Sequence, residues 1–228
     1  MAYQPARGET QGVTPDGILN FAHLVNPDTR FNERGIFSIN LSLEPEDTAK
    51  MRAMLQNAID VATEEGALGF KALTQKQKDK LKGDGLDLRV PGDVEYGPDD
   101  APTGRTVFKF KTSATIRTGR SAGQLRTVNV FSASGKRITG VNVNNNSEGA
   151  VAFMAKPYFM PSQGMAGVTL YLNSVQLLVQ GGTGSNADSG FAVRQGYAEI
   201  EVEDDVSEDE LAPAAAPVAV SIPDDIPF

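Results

Sequence analysis

Cysteine is absent and histidine occurs once, at His23, and these two scarcities remove most side-chain catalysis. Without thiols there are no disulfides, thiolate nucleophiles or thiolate metal sites, and nothing argues for an oxidising compartment. A Ser-His-Asp triad or a His-rich metal site would hang on His23 alone, and that residue reads as a packed or surface histidine. No Gly-x-x-x-x-Gly-Lys-Ser/Thr or Gly-x-Gly-x-x-Gly run occurs, so no nucleotide cofactor is indicated. The start, Met1-Ala2-Tyr3-Gln4-Pro5, lacks a charged stretch followed by an apolar one, and no apolar run approaches membrane-spanning length. The expectation is a soluble, cytoplasmic protein with no cofactor, metal or membrane partner.

Bases are also missing where acids are densest. Residues 199–228 hold ten of the 29 acids and no Lys or Arg. The rest of the chain then carries 21 bases against 19 acids, a net of +2 beneath a chain total of −8. Between 101 and 198 ten bases (Arg105, Lys109, Lys111, Arg117, Arg120, Arg126, Lys136, Arg137, Lys156, Arg194) face only Glu148 and Asp188. A basic body with a detached acidic segment points to a polyanion-binding surface and a segment that imitates or competes with that polyanion. The chain closes on Asp224-Asp225-Ile226-Pro227-Phe228 behind a Pro/Ala-rich leash. An aromatic residue there packs nothing at home and is suited to fill a partner's pocket.

Residues 1–17 read as a polar arm that adds an edge strand at most, and residues 18–180 as the folded domain. Ile36 to Leu43 alternates apolar and polar residues as a half-buried strand does. From Pro45 the period becomes helical, with Met51, Met54, Leu55, Ala58, Ile59 and Ala62 on one stripe, Glu46 and Asp47 at the positive end, and Gly66 as the stop. A short second helix is expected from Thr74, its N-cap, to Lys82, with Gly83 as its end. Residues 83–104 form an acidic, Gly/Pro-rich loop read as too irregular for a regular element. Strands are expected over 105–117, 124–132, 137–143, 150–160 and 167–180, with turns at Thr118-Gly119, Ser134-Gly135, Asn144-Asn145-Asn146 and Gln163-Gly164. In the last strand Val168, Leu170 and Leu172 share one parity and Val175, Leu177 and Val179 the other, which requires a bulge near Asn173-Ser174. Residues 181–228 read as a flexible acidic tail.

About six strands, one helix inserted after the first and no βαβ rhythm predict a mainly β fold. A five-stranded Greek-key barrel of the OB type suits it best, a fold that binds oligonucleotides on one barrel face. An immunoglobulin-like sandwich is the alternative.

In Phe108-Lys109-Phe110-Lys111 a strand sends both Phe to the core and both Lys outward. Lysines two apart sit about 6.6 to 6.8 Å from each other, close to the phosphate spacing of an extended single strand. A solvated lysine pair is the competing reading. Arg117, Arg120 and Arg126 flank the next turn as a basic hairpin, suited to closing over a strand or simply to solvation. Lys156-Pro157-Tyr158-Phe159 sets a base beside two adjacent aromatics, of which at most one is core. Tyr158 is the better stacker and Phe159 the better core residue, because a hydroxyl tolerates water. Arg34 beside Gly35 can present guanidinium and backbone to a phosphate together, although Arg-Gly pairs are common in turns. The carboxylates Asp84, Asp87, Asp93, Glu95, Asp99 and Asp100 are the one place for a Mg²⁺-dependent nuclease. Asp84-Gly85-Leu86-Asp87 fails the EF-hand spacing, and the chain reads as a non-enzyme.

With these residues in view, the chain resembles the single-stranded DNA-binding proteins of short-tailed lytic phages. The likeness runs in order through Asn32-Glu33-Arg34-Gly35-Ile36-Phe37, the helix from Pro45, Phe108-Lys109-Phe110-Lys111, Lys156-Pro157-Tyr158 and Val168 to Val179. It implies an OB-fold body, binding of single strands with little sequence choice, protection and annealing of replication intermediates, and dimers. It also implies a tail that contacts replication proteins and occupies the DNA groove when DNA is absent. Carried over, Arg34, Lys109, Lys111 and Tyr158 are the matched DNA contacts, while Met160 stands where the family has a second aromatic. The terminal Asp224, Asp225, Ile226, Pro227 and Phe228 resemble the tip of bacterial single-stranded DNA-binding proteins, whose Phe docks in a partner's apolar pocket. That likeness implies recruitment of polymerase, helicase/primase or host repair enzymes in an infected bacterial cell. A virion or assembly β-barrel with a solubilising acidic tail is the runner-up from another class.

Overall fold

In the computed structural model, residues 6–30, 32–81, 85–116 and 122–182 are described. In chain order the elements are β1 (Thr10–Val13), β2 (Gly17–Asp28), β3 (Ile36–Leu43), α1 (Pro45–Lys71), α2 (Gln75–Lys78), β4 (Asp87–Arg89), β5 (Asp93–Tyr96), β6 (Pro102–Ser113), β7 (Asn129–Phe131), β8 (Arg137–Ile138), β9 (Ser147–Met160) and β10 (Met165–Val179).

Five of these strands close into a ring. β2 pairs antiparallel with β3, and β3 with β6. β6 then runs parallel to β10, β10 pairs antiparallel with β9, and β9 returns to β2. Numbered by their place in the barrel, the strands follow the order 1-2-3-5-4 and back to 1, the Greek-key OB arrangement expected from sequence. Closure is local at two joints, Gly17–Leu19 of β2 against Ser147–Gly149 of β9 and the single pair Lys111↔Tyr171 between β6 and β10. Leu19, Ile39, Leu41, Phe108, Phe110, Val151, Phe153 and Leu172 fill it, each at most 1% exposed. The Phe110 and Phe153 rings meet at 5.7 Å, tilted by 54°. Truncating either ring costs about 3–5 kcal/mol, the usual range for a buried Phe.

Strand β3 has its expected bounds, and β10 carries its bulge between Leu172 and Ser174. That shift buries Val168, Leu170 and Leu172 on one side of it and Val175 and Leu177 on the other; Val179 lies in the open. The polar arm contributes the edge strand β1, paired with β9 from Thr10↔Ala155 to Val13↔Ala152.

Four expectations need correction. The first barrel strand, β2, precedes Ile36–Leu43, so α1 connects the second and third barrel strands. Helix α1 does not stop at Gly66 but continues to Lys71. Gly66 and Gly69 are there for close approach: a Cβ on Gly66 would lie 2.5 Å from Ala166 Cβ, and one on Gly69 would run into the Phe159 ring. These glycines let the second half of α1 lie on the barrel. The acidic segment is not irregular throughout, because β4 pairs parallel with β10 and β5 antiparallel with β6. The second helix is a single turn, Gln75–Lys78, in which Thr74 donates its N–H to Gln77 Oε1 at 2.9 Å. The expected stop at Gly83 and the turn at Thr118-Gly119 lie outside the described residues. No helix among them is long and apolar enough to cross a membrane.

Candidate nucleic-acid interface

Strand register decides which side chains share the outer barrel face, because residues directly opposite across a ladder point the same way. Ser38 of β3 lies opposite Lys111 of β6, Lys111 opposite Tyr171 of β10, and Tyr171 opposite Met154 of β9. Two residues along, Asn40 lies opposite Lys109 and Thr169 opposite Lys156, and a further step places Gly167 opposite Tyr158. The alternation that buries Phe108, Phe110, Phe153 and Ala155 therefore turns Lys109, Lys111, Met154, Lys156 and Tyr158 to one side.

Two adjoining grooves score this face. One, of about 460 Å³, brings Lys111, Arg126 and Lys156 together around Tyr171. The other, of about 200 Å³, joins Lys109, Lys111 and Tyr158 beneath the Val90-Pro91-Gly92 segment between β4 and β5. Lys111 and Thr169 line both, so the grooves adjoin along these two residues. Arg34 sits in the β2–β3 turn, closed by the Gly35 N–H donating to Asn32 O at 2.8 Å. Gly35 turns the chain at φ 73°, in the left-handed region. The Arg34 carbonyl accepts the Thr115 hydroxyl at 3.4 Å, and Thr115 lines the larger groove.

The cations differ in how committed they are. Lys111, Arg126 and Arg34 are exposed and have no carboxylate partner among the described residues. Lys109 is held by Asp93 at 2.7 Å, both side chains more than 60% exposed. Such an exposed pair is worth about 0.2–1 kcal/mol, so an incoming phosphate can take the lysine from the carboxylate. Lys156 pairs with Glu9, whose side chain is only 8% exposed, which ties the β9 cation to the segment leading into β1. In the β2–β3 turn, hydrogen bonds from the Arg30 guanidinium, joined by the Arg30 backbone N–H, lower the Asp28 carboxyl to about 2. Arg30 is thereby engaged, and Arg34 is the guanidinium that this turn presents outward.

Five residues read from sequence as DNA contacts (Lys109, Lys111, Arg126, Lys156, Tyr158) line these grooves, and Arg34 lies in the turn whose Asn32 lines the larger one. Arg117, Arg120 and the terminal Asp224, Asp225, Ile226, Pro227 and Phe228 lie outside the described residues. Tyr158 and Phe159 point to opposite faces as expected, but Phe159 is half-buried rather than core, laid over Gly69 of α1. Tyr158 is also half-buried, its hydroxyl 3.8 Å from Met165 Sδ. Sequence reasoning missed Tyr171, whose position between buried Leu170 and Leu172 was the signal for an outward aromatic. The carboxylates considered for metal chemistry are partly engaged: Asp87 with Arg89, Asp93 with Lys109, and Glu95 as acceptor of the Thr103 hydroxyl at 2.8 Å.

Comparison with known proteins places this face in context. The sequence model of the family described as "Single-stranded DNA-binding protein, Bacteriophage T7" matches residues 17–180. Among solved structures, gp2.5, a single-stranded DNA-binding protein encoded by bacteriophage T7, is similar with a TM-score of 0.57 and 21% identity, over 84% of this chain and 99% of that one. The single-stranded DNA-binding protein from bacteriophage Enc34, in complex with single-stranded DNA, is similar with a TM-score of 0.51 and 9% identity, over 79% of this chain and 95% of that one. No curated protein sequence matches. At these identities the structural likenesses speak for the fold, and the family match, spanning the whole barrel from β2 to β10, speaks for descent: the chain belongs to the bacteriophage T7 single-stranded DNA-binding protein family.

Proposed function

We propose that the chain is a phage single-stranded DNA-binding protein that holds its ligand along the adjoining grooves over β6, β10 and β9. The observation that carries this reading is the convergence of Lys109, Lys111, Arg126 and Lys156 with Tyr158 and Tyr171 on one barrel face. Cations two residues apart on a strand match phosphates along an extended backbone, and aromatic rings between them offer faces on which any base stacks. Such stacking contributes about 1–3 kcal/mol per base and is indifferent to sequence. A double helix presents its bases edge-on inside the grooves, so rings on a barrel face select unpaired strands.

On this reading the protein coats single strands during phage DNA replication, recombination and repair, protects them and promotes annealing. It does so as a homodimer in the cytoplasm of an infected bacterial cell and without catalysis. Arg117 and Arg120, read from sequence as cations of the same basic segment as Arg126, contact the DNA backbone as well. Residues 199–228 compete for the groove when DNA is absent, and Asp224, Asp225, Ile226, Pro227 and Phe228 recruit replication and repair enzymes. Support for these finer roles comes from the charge division of the sequence and from the family.

A gel shift with oligo-dT, with and without Mg²⁺, tests the core of the proposal. A shifted, uncleaved band is expected in both lanes. No shift, or cleavage confined to the Mg²⁺ lane, would overturn it.

A further inference from the structure

The run of grooves does not end at Lys109. The smaller of the two grooves shares Asp93, Val107 and Lys109 with a third, of about 280 Å³, on the β2 and β5 side of the barrel. Phe21 lines it at 66% exposure, together with Tyr96 at 63%. Ser42, whose hydroxyl has no partner among the described residues, lines it too.

Phe21 is held outward against its own preference. Its φ is +52°, a left-handed conformation that costs a non-glycine residue roughly 1–2 kcal/mol. It lies where the β2–β3 register slips between Asn20 and His23. A bulge that served only to bend the barrel strand would take Gly there without the steric cost of a positive φ. Two reciprocal hydrogen bonds fix the strained backbone instead. The Phe21 N–H donates to Asn145 Oδ1 at 2.8 Å, and the Asn146 N–H donates to Asn20 Oδ1 at 2.9 Å. A strained residue clamped to the Asn145-Asn146 segment to display an apolar ring to water is spending stability on a surface property.

We propose that Phe21, with Tyr96, forms a second base-stacking platform that extends the single strand's path past Lys109; this rests on the function proposed above. The charge pattern selects bases over backbone at this end. Asp93 and Glu95 line the third groove and repel phosphate, while Lys109 at its mouth attracts it. The strand therefore keeps its phosphates on the Lys109 side and turns its bases toward Phe21.

The chain contains no tryptophan, so Phe21→Trp provides a unique indole reporter. Titration with oligo-dT long enough to span all three grooves should quench its emission and shift it, as stacking on a base requires. Phe21→Gly removes the ring and relieves the backbone, so it should melt no lower than the parent. Its affinity for the long oligonucleotide should fall roughly 5- to 150-fold, the equivalent of about 1–3 kcal/mol for one stacked base. The slope of log K against log salt should stay unchanged, because Phe21 touches no phosphate. Unquenched indole together with unaltered affinity of Phe21→Gly would overturn the platform while parental binding leaves the function intact. Dissociation of an oligomer by Phe21→Gly at unaltered DNA affinity would instead make this patch an interface between copies of the chain, and would equally overturn the proposal. Loss of all binding by the parent chain is the separate outcome that removes the function itself.

Discussion

Lys111 is the residue at which the groove geometry makes its most quantitative demand. It lines both adjoining grooves, is exposed and has no carboxylate partner among the described residues, so Lys111→Gln removes one cation and leaves no acid stranded. Exposed substitutions of this kind shift stability by no more than about 0.5 kcal/mol, so a changed affinity can be assigned to the interface. For single strands each neutralised phosphate contributes about −0.7 to the slope of log K against log salt. Over a fourfold rise in salt, such as about 50 to 200 mM, one contact thus accounts for about 2.6-fold in affinity. The variant should bind oligo-dT more weakly than the parent at low salt, and the gap should narrow by about that factor across the range. Fluorescence anisotropy of labelled oligo-dT at five or six salt concentrations reads the two lines. Parallel lines would refute the reasoning, because they would mean that Lys111 meets no phosphate.

Asp93→Asn frees Lys109 from its 2.7 Å partner and removes a negative charge from the track. It should tighten binding by up to about fivefold, the equivalent of a surface pair of about 1 kcal/mol, without adding a phosphate contact to the salt slope; an unchanged affinity would contradict this. Gly66→Ala is expected to lower the melting temperature despite a helix-propensity gain of about 1 kcal/mol, because the new methyl meets Ala166 Cβ, which cannot swing away. A calorimetric scan showing a higher melting temperature would mean that α1 is free to lift off the barrel there. Removal of residues 199–228 should strengthen oligo-dT binding, and removal of Phe228 alone should abolish binding of replication or repair enzymes in pull-downs. Equal capture with and without Phe228 would exclude the tip as a docking element.

Local pattern and long-range pairing were legible to very different degrees. Ile36–Leu43 was readable to the residue because one face of it is buried, and the bulge at Asn173 was readable because apolar parity flips there. Strand β2 hid for the same physical reason without the same clarity. Leu19 and Leu24 are both buried but lie on opposite parities, since the bulge that displays Phe21 sits between them. Strands β4 and β5 offered almost no alternation, being exposed nearly throughout; β4 exists only because the sequence-distant β10 supplies a ladder partner, and β5 because it folds back on the adjoining β6. Gly66 and Gly69 looked like helix terminators because a sequence does not display the ring of Phe159 or the methyl of Ala166 against which they pack.

The site follows the same division. Parity alone put Lys109, Lys111 and Tyr158 outside the barrel, but only the β6–β10 pairing brings Tyr171 beside Lys111. The partners that moderate the cations, Asp93 for Lys109 and Glu9 for Lys156, come from segments 16 and 147 residues away, and no local rule joins them.

The claim on which the account stands is that unpaired DNA lies over β6, β10 and β9, and lysine acetylation footprinting with and without saturating oligo-dT reads it directly. The account predicts protection of Lys109, Lys111 and Lys156, with Lys50, Lys71 and Lys76 on the helices modified equally in both states. Protection of the helix lysines with continued modification of Lys109 and Lys111 would contradict it.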